Sequence, residues 1–220
     1  MKTQFIFTSV CSLTDLIPFV VGMSKFKQIP EKFHPFIIFL GIGSIVDIAS
    51  RILIIVHQNE IANNVAKCYL IYEGLQLTYL LYIWGAIEKR KTMYSIIALL
   101  SGIWLIDNTF FYSNTSLNSI YRIIYSSTIA LLAINLFHRE YFDTAKQALK
   151  DPLTIISGTL ILSYTYRAVF ESTYLFKLNF SNNFYFNIFM LFIILNVVSN
   201  CSFTYAIYRM NLKKRLTSLY

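Results

Sequence analysis

Seven apolar stretches of membrane-crossing length fill almost the whole chain, and lysine and arginine gather in every second connection between them. With about 20 residues needed per crossing, the spans fall at residues 5–23, 35–57, 68–87, 93–112, 119–138, 152–176 and 184–209. In hydrocarbon each backbone N–H and C=O needs a partner inside its own segment, so helix-length apolar runs predict an all-α, polytopic membrane protein. A single seven-helix membrane domain covers residues 1–220 and leaves little for a soluble one. Composition agrees, since 56% hydrophobic residues against 14% charged is too apolar for an ordinary soluble domain.

The charge pattern predicts an orientation. Lys25, Lys27 and Lys32 lie in the first connection, Lys89, Arg90 and Lys91 in the third, Arg139, Lys146 and Lys150 in the fifth, and Arg209, Lys213, Lys214 and Arg215 at the end. The opposite side receives Lys2, Lys67 and Lys177. Short loops rich in cations stay in the cytoplasm, which puts the N-terminus outside and the C-terminus inside. The net charge of +8 then faces anionic headgroups of the bilayer, and nucleic acid is not expected as a partner. The abundance of Ile, Phe, Tyr, Asn and Lys is what AT-rich coding gives. This composition suits a multi-pass protein of a bacterial inner membrane.

The first apolar run is read as a helix and not as a cleaved secretory signal. Asp15 interrupts it, no small-x-small site follows, and cleavage would leave Lys25–Lys32 on the wrong side. Cys11, Cys68 and Cys201 have no metal-ligand spacing, and His34, His57 and His138 stand singly near span ends. No metal or cofactor is expected. The seventh span holds no lysine, so a retinal Schiff base has no nucleophile there.

Spacing hints at a duplication. Helices one to three recur at five to seven with offsets of 114, 117 and 116 residues, a 3+1+3 pattern with the fourth helix as linker. At an offset of 117, Pro35 falls on Pro152 and Gly41 on Gly158. Both prolines would open a helix, where a missing N–H costs nothing. A true duplication would make the halves parallel repeats with a site at their interface.

Chemistry can only come from the ionisable residues inside the spans: Asp15, Asp47, Arg51, Glu73, Asp107, Arg122, Arg167 and Glu171. An isolated charge at the bilayer centre costs about 3 kcal/mol or more, so these face inward and find partners. With the predicted orientation, Arg51, Glu73, Asp107, Arg122, Arg167 and Glu171 form an outer layer, while Asp15 and Asp47 sit closer to the midplane. Residues four apart share a helical face. Asp47 with Arg51 and Arg167 with Glu171 are therefore the expected pairs. Ser157, Tyr164, Arg167, Glu171 and Tyr174 make one stripe on helix six, and Tyr69, Tyr72, Glu73, Gln76 and Tyr79 another on helix three.

Two accounts fit these residues. In one they are interhelical glue, with Asp15, Asp47, Asn196 and Asn200 in structural or coupling roles. In the other, Arg51, Glu73, Asp107, Arg122, Tyr164, Arg167 and Glu171 line an outward pocket for an anionic or polar small ligand. Guanidinium forks suit carboxylate or phosphate. No catalytic signature such as GxSxG, HExxH or a phosphate-binding loop occurs in a fitting context. Should the chain be an intramembrane enzyme, Asp47 and Glu73 are the first suspects.

The helix number, the N-out orientation, Asp15-Leu16-Ile17-Pro18 followed by Ile29-Pro30, Ile71-Tyr72-Glu73 and the Tyr-rich sixth helix together resemble the seven-helix sensor modules of bacterial diverse intracellular signalling receptors and their stand-alone relatives. The resemblance implies an inner-membrane receptor or regulatory module that signals through a separate protein partner or a homo-oligomer. The 3+1+3 pattern is also similar to the topology of SWEET sugar transporters, without the Pro-Gln signature of their relatives. Receptor, small-solute transporter or channel subunit, and intramembrane enzyme are thus the three classes to separate.

Overall fold

The computed structural model describes residues 11, 13–110, 119–143, 151–175 and 180–217, with side chains described throughout except at 110, 119, 142, 143, 174, 182 and 211–217. Lys2, Tyr112, Lys146, Lys150 and Lys177 lie outside the described residues, as do the side chains of Tyr174, Lys213, Lys214 and Arg215. Among the described residues there are seven α-helices and no strand: α1 (Leu16–Ser24), α2 (His34–Ile55), α3 (Asn59–Ile83), α4 (Arg90–Phe110), α5 (Ser119–Asp143), α6 (Pro152–Leu175) and α7 (Asn182–Thr217).

Among the described residues, four stretches are long and apolar enough to cross a membrane: Glu31–Ile55, Ile120–Tyr141, Pro152–Thr173 and Asn183–Met210. Polarity is distributed in the reverse of a soluble domain. Ile45, Leu99, Leu131, Leu162 and Val169 are exposed, while Glu73, Asp107 and Glu171 are buried. An apolar exterior around buried charge is the pattern of a protein solvated by lipid.

Six helices close a ring in the order α1, α2, α3, α5, α6, α7 and back to α1, and α4 stands outside it against α3 and α5. α3 packs against α2, α4 and α5 and buries Leu70, Glu73, Gly74, Leu77, Thr78, Leu80 and Leu81. It also begins at Asn59, well before the apolar run that starts at Cys68. Hydropathy marks only the apolar stretch, and the polar turns from Asn59 to Lys67 belong to the same helix. Lys67, expected in an exposed connection, is accordingly helical and buried.

The first helix departs from a continuous span as well. A 3-10 turn at Leu13–Asp15 precedes α1. Pro18, without an N–H, cannot return the hydrogen bond that Thr14 would need for an α-helix to continue through it. The break leaves Asp15 at the helix start with no capping bond from its own side chain, free to act elsewhere.

The hydrophobic core runs from Leu70, Tyr121, Tyr125 and Tyr164 down to the half of the bundle that holds the α1–α2 and α3–α4 connections. Phe36, fully buried, meets Trp84 at 5.5 Å and Phe203 at 5.4 Å, both edge-on. The Trp84 indole N–H donates to the carbonyl of Lys32 at 3.2 Å. The end of α3 turns at Gly85, whose φ of +87° is the left-handed conformation that glycine tolerates. Arg139 of α5 caps this end, donating to the carbonyl of Gly85 and, at 2.6 Å, to that of Trp84. A cation belongs at a helix C-terminus, where the dipole is negative. His34 lies 3.1 Å from the carbonyls of both Phe26 and Ile29 and ties the α1–α2 connection to α2.

One close approach is testable. A Cβ built on Gly74 would stand 2.6 Å from the hydroxyl of Tyr121, a side chain with no exposed surface. Gly74→Ala is expected to cost about 1–3 kcal/mol by overpacking, read as a lowered melting temperature in detergent. Gly102→Ala, with nothing within 4 Å of its added Cβ, should be neutral or stabilising by up to about 1 kcal/mol.

Candidate functional site

Above the aromatic core, in the half of the bundle where α2 hands over to α3, a cavity of about 610 Å³ opens among α1, α2, α3, α5, α6 and α7. Every residue singled out by the sequence for binding or coupling lines it, except Asp107. Its charged wall is built round Glu73, 5% exposed. One oxygen of that carboxylate accepts the Tyr164 hydroxyl at 2.5 Å and an Arg167 nitrogen at 2.8 Å. The other accepts the Tyr125 hydroxyl at 3.0 Å, and the same Arg167 nitrogen donates to Tyr125. Tyr164 and Arg167 are three residues apart on α6, and the guanidinium lies over the Tyr164 ring at 5.2 Å. A buried carboxylate survives only with such compensation, because its desolvation otherwise exceeds what a single ion pair returns.

The second pair crosses from α5 to α6, with Arg122 donating to Glu171 at 2.7 Å. The third, Arg51 to Asp47 at 3.0 Å, stays within α2 and is more open. The pairing along α6 is therefore corrected. Arg167 and Glu171 share a face, as their spacing requires, yet each turns to a partner on another helix. An interhelical carboxylate and guanidinium can meet end to end, and the i, i+4 geometry within one helix gives way to it.

Asp15, Asn196 and Asn200 form a separate group between α1 and α7. The amide of Asn196 donates to Asp15 at 3.1 Å, and that of Asn200 donates to Asp15 and, at 3.0 Å, to the Thr14 hydroxyl. Ser44 of α2 donates to the Asp15 main-chain carbonyl at 3.0 Å. Ser199, on the same face of α7, shares a hydrogen bond with Ser163 of α6 at 2.6 Å. The seventh-helix amides thus bind a carboxylate at the start of the neighbouring α1.

Asp107 stands apart from the cavity. Buried on α4, it accepts the backbone N–H of Tyr121 at 3.2 Å, one of the N–H groups that the start of α5 leaves without an intrahelical partner. The negative charge suits a helix N-terminus, so packing accounts for this residue. On α3, Tyr69 and Glu73 face the cavity, whereas Tyr72 and Gln76 do not line it and Tyr79 is exposed. Sequence reasoning missed Tyr121 and Tyr125, both fully buried and stacked at 5.1 Å. Extending the helical rhythm from Arg122 by three residues would have reached Tyr125.

No protein-family model, no curated protein and no solved structure matches this chain.

The crossed pairing predicts a specific rescue pattern. Arg167→Gln should lower stability by about 3 kcal/mol or more, because it strands Glu73 in the interior. Adding Glu73→Gln should recover part of that loss, with a coupling of about 0.5–3 kcal/mol. Adding Glu171→Gln should not recover it, whereas Glu171→Gln should soften Arg122→Gln. Thermal melts of the single and double variants in detergent decide it.

Proposed function

We propose that the chain is a seven-span receptor or regulatory module of a bacterial inner membrane, with its N-terminus outside, its C-terminus in the cytoplasm and its cavity open to the outer side. The observation that carries this reading is where the cavity stops. Its lining ends at Phe39, Leu40, Leu160 and Phe203, and beneath these the fully buried Phe36 packs edge-on against Trp84 and Phe203. A pocket that is blind on one side receives a solute without conducting it. Half-open charge at the upper end also favours access from there, since Arg51 and Asp47 keep 27% and 36% of their side-chain surface.

α7 supplies a route for output. It carries Asn196 and Asn200 at the cavity and runs unbroken for 36 residues to Thr217, about 54 Å at 1.5 Å per residue. That exceeds the roughly 30 Å of hydrocarbon, so its far end, with Arg209, Lys213, Lys214 and Arg215, reaches past the membrane toward a separate protein partner or a second copy.

A transporter is the second reading, favoured by the ring order. The sequence α1, α2, α3, α5, α6, α7 is what two parallel three-helix halves with α4 as linker would give. Gly41 of α2 receives the Phe19 ring of α1, and Gly158 of α6 lies nearest Phe137 of α5. Transport would require the aromatic floor to part. An enzyme would require Asp47 and Glu73 to leave Arg51 and Arg167, which hold them.

Cysteine labelling with a small impermeant reagent in a cysteine-free background separates these readings. Asn59→Cys should label from outside and Lys89→Cys from the cytoplasm. Ser50→Cys, in the cavity wall, should label from outside, and Leu160→Cys, at its floor, should stay protected from the cytoplasmic side. Labelling of Leu160→Cys from the cytoplasm would favour the transporter, and inverted labelling at residues 59 and 89 would overturn the orientation.

A further inference from the structure

Three arginines in an outward pocket suggest an anionic guest, but the charge inventory of the cavity points the other way. Its lining contains four carboxylates, Asp15, Asp47, Glu73 and Glu171, against three guanidiniums, Arg51, Arg122 and Arg167. Each guanidinium already lies within 3.0 Å of a carboxylate oxygen. An anion would have to compete with those carboxylates and add to a wall that is formally negative by one charge.

The imbalance is local. Around α3, α5 and α6, Glu73 and Glu171 are matched by Arg167 and Arg122. Around α1, α2 and α7, Asp15 and Asp47 share only Arg51, which is bound to Asp47 at 3.0 Å. Asp15 and Asp47 are on neighbouring walls, because Ser44, one turn before Asp47, donates to the Asp15 carbonyl. Asp15 itself is held by the neutral amides of Asn196 and Asn200. Amide donors orient a carboxylate and satisfy one oxygen without cancelling its charge. Among the described residues no Lys, Arg or His forms a salt bridge with it.

The cavity that holds this carboxylate also has aromatic lining. On α7, Phe189, Phe192 and Phe203 line the cavity from the same face as Asn196 and Asn200, at the 3–4 residue spacing of one helical stripe. Phe170 of α6 stacks on Phe192 at 5.3 Å, and Tyr166 stacks on it at 6.3 Å. A carboxylate held, among the described residues, by neutral amides alone in a cavity with aromatic lining suits an organic cation, through a charge-assisted hydrogen bond and cation–π attraction. A cavity of about 610 Å³ is also in the range that encloses a small organic molecule.

Resting on the reading of this cavity as a solute pocket, we propose that it takes a small organic ammonium, whose charged nitrogen sits against Asp15 and whose hydrocarbon part lies among the phenylalanines of α7 and α6. The guest would complete the charge balance of the α1–α2–α7 sector and bear on the helix that extends toward the cytoplasm.

The test uses the purified full-length protein in nanodiscs of neutral lipid with three probes of similar shape: 2-phenylethylammonium, its neutral analogue 2-phenylethanol, and benzoate. Saturating 2-phenylethylammonium should raise the melting temperature by on the order of 5 °C, with neither of the others doing so. Asp15→Asn keeps the size of the side chain and an oxygen for the amides. It should weaken the ammonium response about tenfold or more. Equal shifts with the alcohol and the ammonium, an undiminished response in Asp15→Asn, or stabilisation by acid alone with none by the ammonium would each overturn the proposal. A response to benzoate alone would overturn it while leaving the pocket intact. Silence from all three probes overturns it too, and takes the pocket reading with it if Ser50→Cys is also closed to labelling from outside.

Discussion

The Glu73 carboxylate sets the conditions for everything around it. Placed on α3 and 5% exposed, it would be ruinous alone in such a setting. It is tolerated because α5 sends Tyr125 and α6 sends Tyr164 and Arg167 to meet it. Those donors hold three helices in one register at the upper end of the bundle. Tyr121 repeats the device a turn away, donating to the Leu70 carbonyl at 3.3 Å and filling the space that Gly74 leaves.

The same constraint divides the bundle in two. Polar pairs need width, and the helices spread around them into a cavity. Apolar rings need contact, and below the cavity they close on Phe36, Trp84 and Phe203. The proposed receptor follows from this division: a polar cup above, a sealed floor below, and α7 as the one helix that runs from the amides of the cup far past the floor.

Much of this was legible in the chain. The helix number and the Asp47–Arg51 pair follow from hydropathy and from the 3–4 spacing of charged residues. What spacing could not decide was choice of partner. Arg167 and Glu171 lie on one face, and only the positions of α3 and α5 in space send one to Glu73 and the other to Arg122. For the same reason Asp107, expected among the pocket residues, instead caps the start of the next helix. Hydropathy also misplaced the start of α3, since a helix can be polar where it leaves lipid and wherever protein surrounds it. Pro18 signalled the break before α1, and its consequence, an Asp15 side chain turned to α7, needed the fold.

The central claim is that Glu73 is the keystone of the upper bundle and the α2 pair is not. Equilibrium unfolding of Glu73→Gln and Asp47→Asn in the same detergent measures it directly. Loss of the interhelical ion pair at Glu73 should cost about 3–5 kcal/mol, whereas the half-open i, i+4 pair at Asp47 should cost about 0.5 kcal/mol. A Glu73→Gln protein as stable as Asp47→Asn would contradict the account.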